Sequence, residues 1–516
     1  MLILISCLLF FVTALALIIL RIFRPEARYT WLAAVGGAML GFVSVVLWLA
    51  QLPDSLSLPG VPTLDEFNSS LIFSADGVSF PFALSVAALI VSILLTAVTQ
   101  PVYINSSIWA GILALGGTGI FAVTANNPLT LLLIWAVLDL TELMIHLSSV
   151  NGASNNEKIV VSFATRALGI GFLAWGSMTS IAEANTFEFQ SMSVSAGLFL
   201  AIAAGLRLGV LPLHLPYSPE SNLRRGFGTA LRLISSASSL ILLGRIPVGV
   251  FNSNLAPLLI VLTLIAALYA GWSWLRAPNE LDGRPYWVIG IAALAILSAL
   301  SGNPIGAVAW GCALILVGGA LFLASVQNPW LNRAMLIGAF SVSALPFSLT
   351  ASAWLGRISF FIPFVILAQA LMMAGFIRHA LRSVNRDSLE NQPDWMKAVY
   401  SSGIVLLIIA QIFLGFIGWD GARQIGAWAP ALIASFLTFG LVWASRRFRL
   451  FNPVRAHWVS ATELRLNRFY QGLWSIYRFF GRASQIVTQT LEGEGGIMWT
   501  LLFLILFVAF ITQAAS

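Results

Sequence analysis

Lysine is nearly missing from this chain: among 516 residues only Lys158 and Lys397 occur, and Asp, Glu, Lys and Arg together make up 9% of the composition. So little charge excludes a water-soluble surface, since soluble domains carry about 25% charged residues. There is no basic groove interleaved with stacking aromatics either, so a nucleic-acid partner is excluded. Cysteine is as scarce. Cys7 and Cys312 stand apart inside apolar runs, which leaves nothing for a disulfide framework, a metal site or an iron–sulfur cluster taking four thiolates. No G-x-G-x-x-G follows a strand, so no nucleotide cofactor is expected.

What the chain has is apolar length: 59% of its residues are hydrophobic. A hydrocarbon core of about 30 Å takes about 20 apolar residues to cross. About sixteen candidate spans can be placed, among them 2–23, 127–149, 158–182, 192–216, 226–250, 285–301, 333–354 and 495–513. The first, "MLILISCLLFFVTALALIIL", lacks a positive leader and exceeds a signal-peptide core, and it is read as a true span. The reading is an all-α polytopic membrane protein: a transmembrane domain over 1–445, an interfacial amphipathic segment over 446–494 and a terminal helix over 495–516. The middle segment, with Trp458, Phe469, Tyr470, Trp474, Tyr477 and Phe479 among its arginines, has the composition of a helix lying on the lipid surface.

Arginines gather in alternate connections: Arg21, Arg24 and Arg28, then Lys158, Arg224 with Arg225, Arg276, and Arg333. Short cytoplasmic loops collect positive charge, so the N-terminus is placed outside the cell's inner (plasma) membrane. The net charge of +7 is on this reading a topology and lipid-headgroup signal.

Charges within the spans carry the functional information, because each costs about 2.5–3.5 kcal/mol on insertion scales and turns inward. The acids there are Asp139 and Glu142. With His146 they fall at i, i+3 and i+7, one face of a helix. The embedded bases are Arg166, Arg207, Arg232 and Arg245, with Arg357 near a span end, and His214. In "GLRLGVLPLHLPYSPE", Pro212 and Pro216 each remove a backbone donor. The freed carbonyls suit a helix broken beside a polar cavity near 205–216, although a simple kink with a snorkelling Arg207 fits the same pattern.

These residues resemble the antiporter-like membrane subunits of respiratory complex I, a family shared with multi-subunit sodium/proton antiporters and membrane-bound hydrogenases. "RLGVLPLHLP" is similar to the family's broken seventh helix through Pro212, His214 and Pro216. "LIFSADGVSFPFALSVAALI" resembles the approach to its third helix, with Asp76, Gly77 and Ser79 in place. Weaker likenesses are "LLLIWAVLDL" for the fifth helix, "SALPFSLTASAWLGR" for the twelfth and "LEGEGGIMWTLLFLILF" for the tail of hydrogenase-associated members. The resemblance implies about fourteen core helices in two inverted five-helix repeats, each with a discontinuous helix, the second near 340–357 around Pro346. It also implies partners, namely other membrane subunits of one complex embedded in the lipid bilayer.

The departures bear on mechanism. The family's fifth-helix Trp-Glu is Trp135-Ala136 here, its seventh-helix lysine is Arg207, and its twelfth-helix lysine or glutamate aligns with Arg357. A buried lysine can release a proton, whereas arginine stays charged. Three classes stay open: an ion-translocating, non-redox subunit of a redox-driven complex resembling NADH-quinone oxidoreductase or hydrogenase, a cation/proton antiporter subunit, and a non-conducting scaffold. On the first, the proton or ion path would run through Asp139, Glu142, His146, Arg166, Arg207, His214, Arg232 and Arg357.

Overall fold

Among the residues that the computed structural model describes (2–24, 29–58, 70–99, 106–149, 153–184, 188–214, 225–326, 328–357, 360–381, 389–418, 423–448 and 475), thirteen helices are long and apolar enough to cross a membrane. Two contact units divide the chain, Met1–Pro453 and Val454–Ser516. The terminal span, nearly all of the interfacial segment and Pro216 fall outside the described residues. All thirteen helices belong to the first unit.

The elements of that unit run α1 (Leu2–Phe23), α2 (Thr30–Val46), β1 (Asp54–Leu58), β2 (Leu71–Ala75), α3 (Ser79–Thr96), α4 (Ser106–Thr124), α5 (Pro128–Ser149), α6 (Ala153–Ala184), α7 (Val194–Leu208) and α8 (Arg225–Leu243). Then come α9 (Ala256–Arg276), α10 (Glu280–Leu300), α11 (Pro304–Leu323), the short α12 (Pro329–Ala334) and α13 (Leu336–Ser341), α14 (Ile362–Ala380), α15 (Asp394–Phe413) and α16 (Trp428–Phe448). Two candidate spans are not single helices. Within 192–216, α7 gives way to turns over 209–213, and 333–354 is interrupted after Ser341. Each is the fourth member of a five-helix run, α4–α8 and then α9–α14 with α12 and α13 counted as one. Five being odd, the second run enters from the opposite face, the geometry of an inverted repeat.

Sequence decides which helices are central. α11, "PIGAVAWGCALILVGGALFL", is apolar all round and is buried along its length with α3, α8 and α10, as a helix without a polar face must be. α1, α2, α5 and α16 turn one side outward, exposing residues such as Leu15, Leu40, Val137 and Phe436. Starts are capped by short polar side chains: Asn303 Oδ1 accepts from Gly306 N at 2.9 Å ahead of Pro304, and Asn279 Oδ1 accepts from Asp282 N at 2.7 Å. Both satisfy donors that the first turn leaves unpaired.

An all-helical reading misses one element. β1 and β2 pair antiparallel, Asp54 opposite Ala75 and Leu58 opposite Leu71. The hairpin is stitched onward: Asn126 N donates to Ile72 O at 2.9 Å, and Phe189 N to Asn126 O at 3.2 Å. Asn127 Nδ2 adds a bond to Ser70 O at 2.7 Å. The approaches to α3, α5 and α7 are thereby joined at one end of the bundle.

Candidate functional site: a buried charge network at the break in α7

α5 is an amphipathic helix turned inside out. Trp135, Asp139, Glu142 and His146 are buried, while Leu133, Val137, Leu140 and Met144 face outward. The 3.6-residue period puts the three ionisable groups on one stripe, and hydrocarbon outside drives that stripe toward the protein. α6 answers it: Arg166 is buried while Leu168, Trp175 and Met178 are exposed.

α7 brings the third partner. It ends where Gly209 takes a left-handed φ of 77°, a conformation that glycine adopts without the Cβ clash. The chain then folds back, Val210 N bonding Gly205 O at 2.8 Å and His214 N bonding Gly209 O at 3.0 Å. These bonds satisfy carbonyls that a helix end would leave bare within the membrane. Arg207 stands on the last turn before the break and is buried.

The three helices meet in a closed ionic network. Arg207 grips Asp139 with two nitrogens, one reaching Oδ1 at 2.8 Å. Arg166 Nε lies 3.0 Å from the same Oδ1, and the other end of its guanidinium bonds Glu142. Glu142 also accepts from Ser235 Oγ at 3.2 Å and lies 3.8 Å from His146 Nε2. α8 supplies the floor: Ser235 touches Arg166, Ser239 Oγ accepts from Arg207 Nε at 3.1 Å, and buried Arg232 acts on Glu142 through its charge. Trp135 braces the site, its indole donating to Ser238 O at 2.9 Å while its ring centre lies 4.1 Å from the Arg207 guanidinium. That stacking suits arginine's planar cation.

Not every residue read from the sequence joins this network. His214 is buried beside the break, Nδ1 being 2.8 Å from Pro212 O and Nε2 having no partner among the described residues. Arg245 lies beyond the end of α8, 2.6 Å from Asp76 Oδ2. Arg357 is exposed and stands apart from the α5 stripe, its guanidinium over Phe251.

The second break, around Pro346, is lined differently. Ala344 and Phe347 both have positive φ, 58° and 65°, which non-glycine residues adopt at a cost. Neutral side chains hold the turn. Thr350 Oγ1 donates to Ser341 O at 2.8 Å and accepts from Ala344 N at 3.0 Å. Gln369 Nε2 donates to Val342 O at 3.0 Å, and Gln411 Oε1 accepts from Ser341 Oγ at 2.9 Å. The amides stand at this break where the first has carboxylates and guanidinia.

A further buried polar cluster escaped the sequence reading. Arg225, at the start of α8, donates to Phe322 O at 2.9 Å and Ala324 O at 3.0 Å and pairs with Glu280 at 3.0 Å. Arg284 and His379 are buried nearby, the guanidinium 5.5 Å from the Phe322 ring and the imidazole 4.3 Å from the Trp274 ring. Placing the tenth span at 285–301 left Glu280 and Arg284 in a loop. The cap at Asn279 followed by Glu280 and Asp282 is the signal that moves its start back.

No family model and no curated protein matches this sequence. Solved structures do match. The chain is similar to one from the Mrp complex of Dietzia sp. DQ12-45-1b, with a TM-score of 0.70 at 14% identity, covering 100% of this chain and 63% of that one. It therefore spans less than two thirds of that relative's length. A chain of the membrane-bound sulfane sulfur reductase, an archaeal respiratory membrane complex, gives 0.69 at 13% identity, covering 98% and 99%. A chain of respiratory complex I from Thermus thermophilus with bound NADH gives 0.62 at 17%, covering 86% and 100%. At 13–17% identity these likenesses show a fold shared with chains of those membrane complexes.

Proposed function

We propose that this chain is a membrane subunit of a multi-subunit, redox-driven proton-translocating complex, resembling NADH-quinone oxidoreductase or a hydrogenase, which carries or supports ion movement and takes no part in electron transfer. The observation that carries the reading is the network of Asp139, Arg166, Arg207 and Glu142 at the break in α7, within a fold shared with subunits of such assemblies. The protein sits in the inner (plasma) membrane with its N-terminus outside, its partners being further membrane subunits. The segment 446–494 lies along the lipid surface and 495–516 crosses it.

Arginine does not release its proton, so Arg207 and Arg166 act as fixed charges. The groups able to exchange a proton at this site are Asp139, Glu142, His146 and His214. Asp139, clamped by two guanidinia, serves as their counter-ion, which a buried cation requires. Glu142 is the more suitable carrier, since it touches both Arg166 and the titratable His146. Arg232 extends the positive field along α8, while Arg357 belongs to the far end of the path.

The neutral amides at the second break favour one rival, a scaffold whose proton path has degenerated. The likeness to an Mrp complex supports the other, a cation/proton antiporter subunit. Proton yield per turnover in reconstituted vesicles, measured beside subunit retention, separates them. Transport predicts that Glu142→Gln or His214→Ala lowers the yield while the complex stays assembled. Unchanged yield with all four titratable groups neutralised overturns it, and cation-for-proton exchange without redox turnover selects the antiporter.

A further inference from the structure

An open groove lies at the end of the bundle that carries the α10–α11 turn, walled by Ile260, Leu294, Leu297, Phe361, Ile362 and Val365. Its interior is a slot of about 50 Å³, smaller than an enclosed small-molecule site, with its mouth open to the surface. Polar groups occur at one edge, where Ser298, Ser301, Trp354 and Arg357 line it. The Arg357 backbone is fixed by its N–H bond to Ser301 O at 3.1 Å, and its guanidinium lies 3.9 Å from the centre of the Phe251 ring. The stack occupies a face of the cation and leaves its in-plane N–H donors without a protein acceptor among the described residues. No carboxylate pairs with Arg357 among the described residues, in contrast to Arg245 at the same end, which has Asp76. The Trp354 indole N–H is likewise buried without an acceptor among the described residues.

We propose that this groove binds one anionic phospholipid, its phosphate paired with Arg357 and an acyl chain lying along the apolar wall. Charge complementarity inside an amphiphilic shape selects this ligand. A planar guanidinium matches phosphate with two parallel hydrogen bonds, an indole N–H offers a third donor, and the wall beyond them is suited to hydrocarbon. A small anion would meet the donors and leave the wall wet; a neutral amphiphile would leave the cation uncompensated. The proposal does not depend on whether the chain moves protons.

The test uses the full chain, purified from membranes in mild detergent and delipidated, then titrated with dioleoylphosphatidylglycerol in mixed micelles and read by native mass spectrometry. Wild type retains one phosphatidylglycerol per chain. Arg357→Gln, at an exposed position, and Val365→Phe, which fills the groove, each lower its occupancy about tenfold. Dioleoylphosphatidylcholine binds no better to wild type than to the variants, and inorganic phosphate at equal concentration displaces nothing. Equal retention by all three proteins, equal binding of phosphatidylcholine, or displacement by phosphate overturns the proposal.

Discussion

Arg166 and Arg207, like charges from different helices, meet on a single oxygen: Oδ1 of Asp139 lies 3.0 Å from Arg166 Nε and 2.8 Å from a terminal nitrogen of Arg207. The carboxylate separates two cations that would otherwise repel one another in a medium with little screening. Asp139→Asn leaves Arg207 uncompensated and Arg166 with Glu142 alone, and lowers stability by about 3–5 kcal/mol, the cost of breaking a buried pair. Thermal unfolding in detergent reports it. Arg207→Lys keeps the charge and stays folded; a melting temperature lowered as far as that of Asp139→Asn would refute the electrostatic account.

Asp76 sits outside the spans, ahead of α3, and connects to Arg245. Burial pushes its carboxyl up, but Arg245 and the N–H groups of Val78 and Ser79, at 3.0 and 2.9 Å from Oδ1, outweigh this and hold it below the usual carboxylate range. A carboxyl whose native pKa is lowered contributes stability that is complete above the unfolded value of about 3.9 and is lost as pH falls through the native one. Melting temperature from this group is therefore flat between pH 7 and 5 and falls below about pH 4. Asp76→Asn melts lower at neutral pH and lacks that acid limb, as a pH series of thermal scans would record.

Gly169 on α6 lies where a Cβ would come 2.8 Å from Arg207 Cγ and 3.1 Å from the carbonyl oxygen of Ala203. The side chain can give way but the α7 backbone cannot. Gly169→Val lowers stability by about 1–3 kcal/mol through overpacking and displaces Arg207 from Asp139. Gly171→Ala, with open space around it, leaves the melting temperature unchanged or raises it through helix propensity. Equal behaviour of the two variants would show that α6 and α7 do not meet this closely.

Gln369 donates to a carbonyl that the second break exposes. Gln369→Leu leaves Val342 O without that donor and lowers stability by about 1–3 kcal/mol. Gln369→Glu, whose carboxylate cannot donate to the carbonyl, does at least as much harm. Proteolysis of the 342–350 turn in membranes measures the loosening directly.

How much of this was legible depended on the kind of signal. The face bearing Asp139, Glu142 and His146 was readable because lipid enforces a 3.6-residue period on any charge. That Arg166 would bridge both acids was not, since which turn of α6 faces α5 is settled by packing. The interruption after Leu208 follows from Pro212, whereas the second break is held by Thr350, Gln369 and Gln411, neutral residues that a search for charges passes over. The alternation in "DSLSL" between Pro53 and Pro59 was an available strand signal, hidden by a hydropathy reading that recognises only long runs. Glu280 and Arg284 were lost to a boundary error of about one helical turn.

The hairpin has a mechanical consequence. Through Asn126, Asn127 and Phe189 it fastens the starts of α3, α5 and α7 into one backbone-bonded plate, and parting them there breaks hydrogen bonds worth about 0.5–1.5 kcal/mol each. The opposite end, where Arg225 meets Glu280, has no such seam among the described residues. Any relative movement of these helices would hinge at the hairpin, its amplitude growing along about 30 Å of helix. Force applied at the Arg225 end would act on the Asp139 junction through a longer arm than the same force applied at the hairpin.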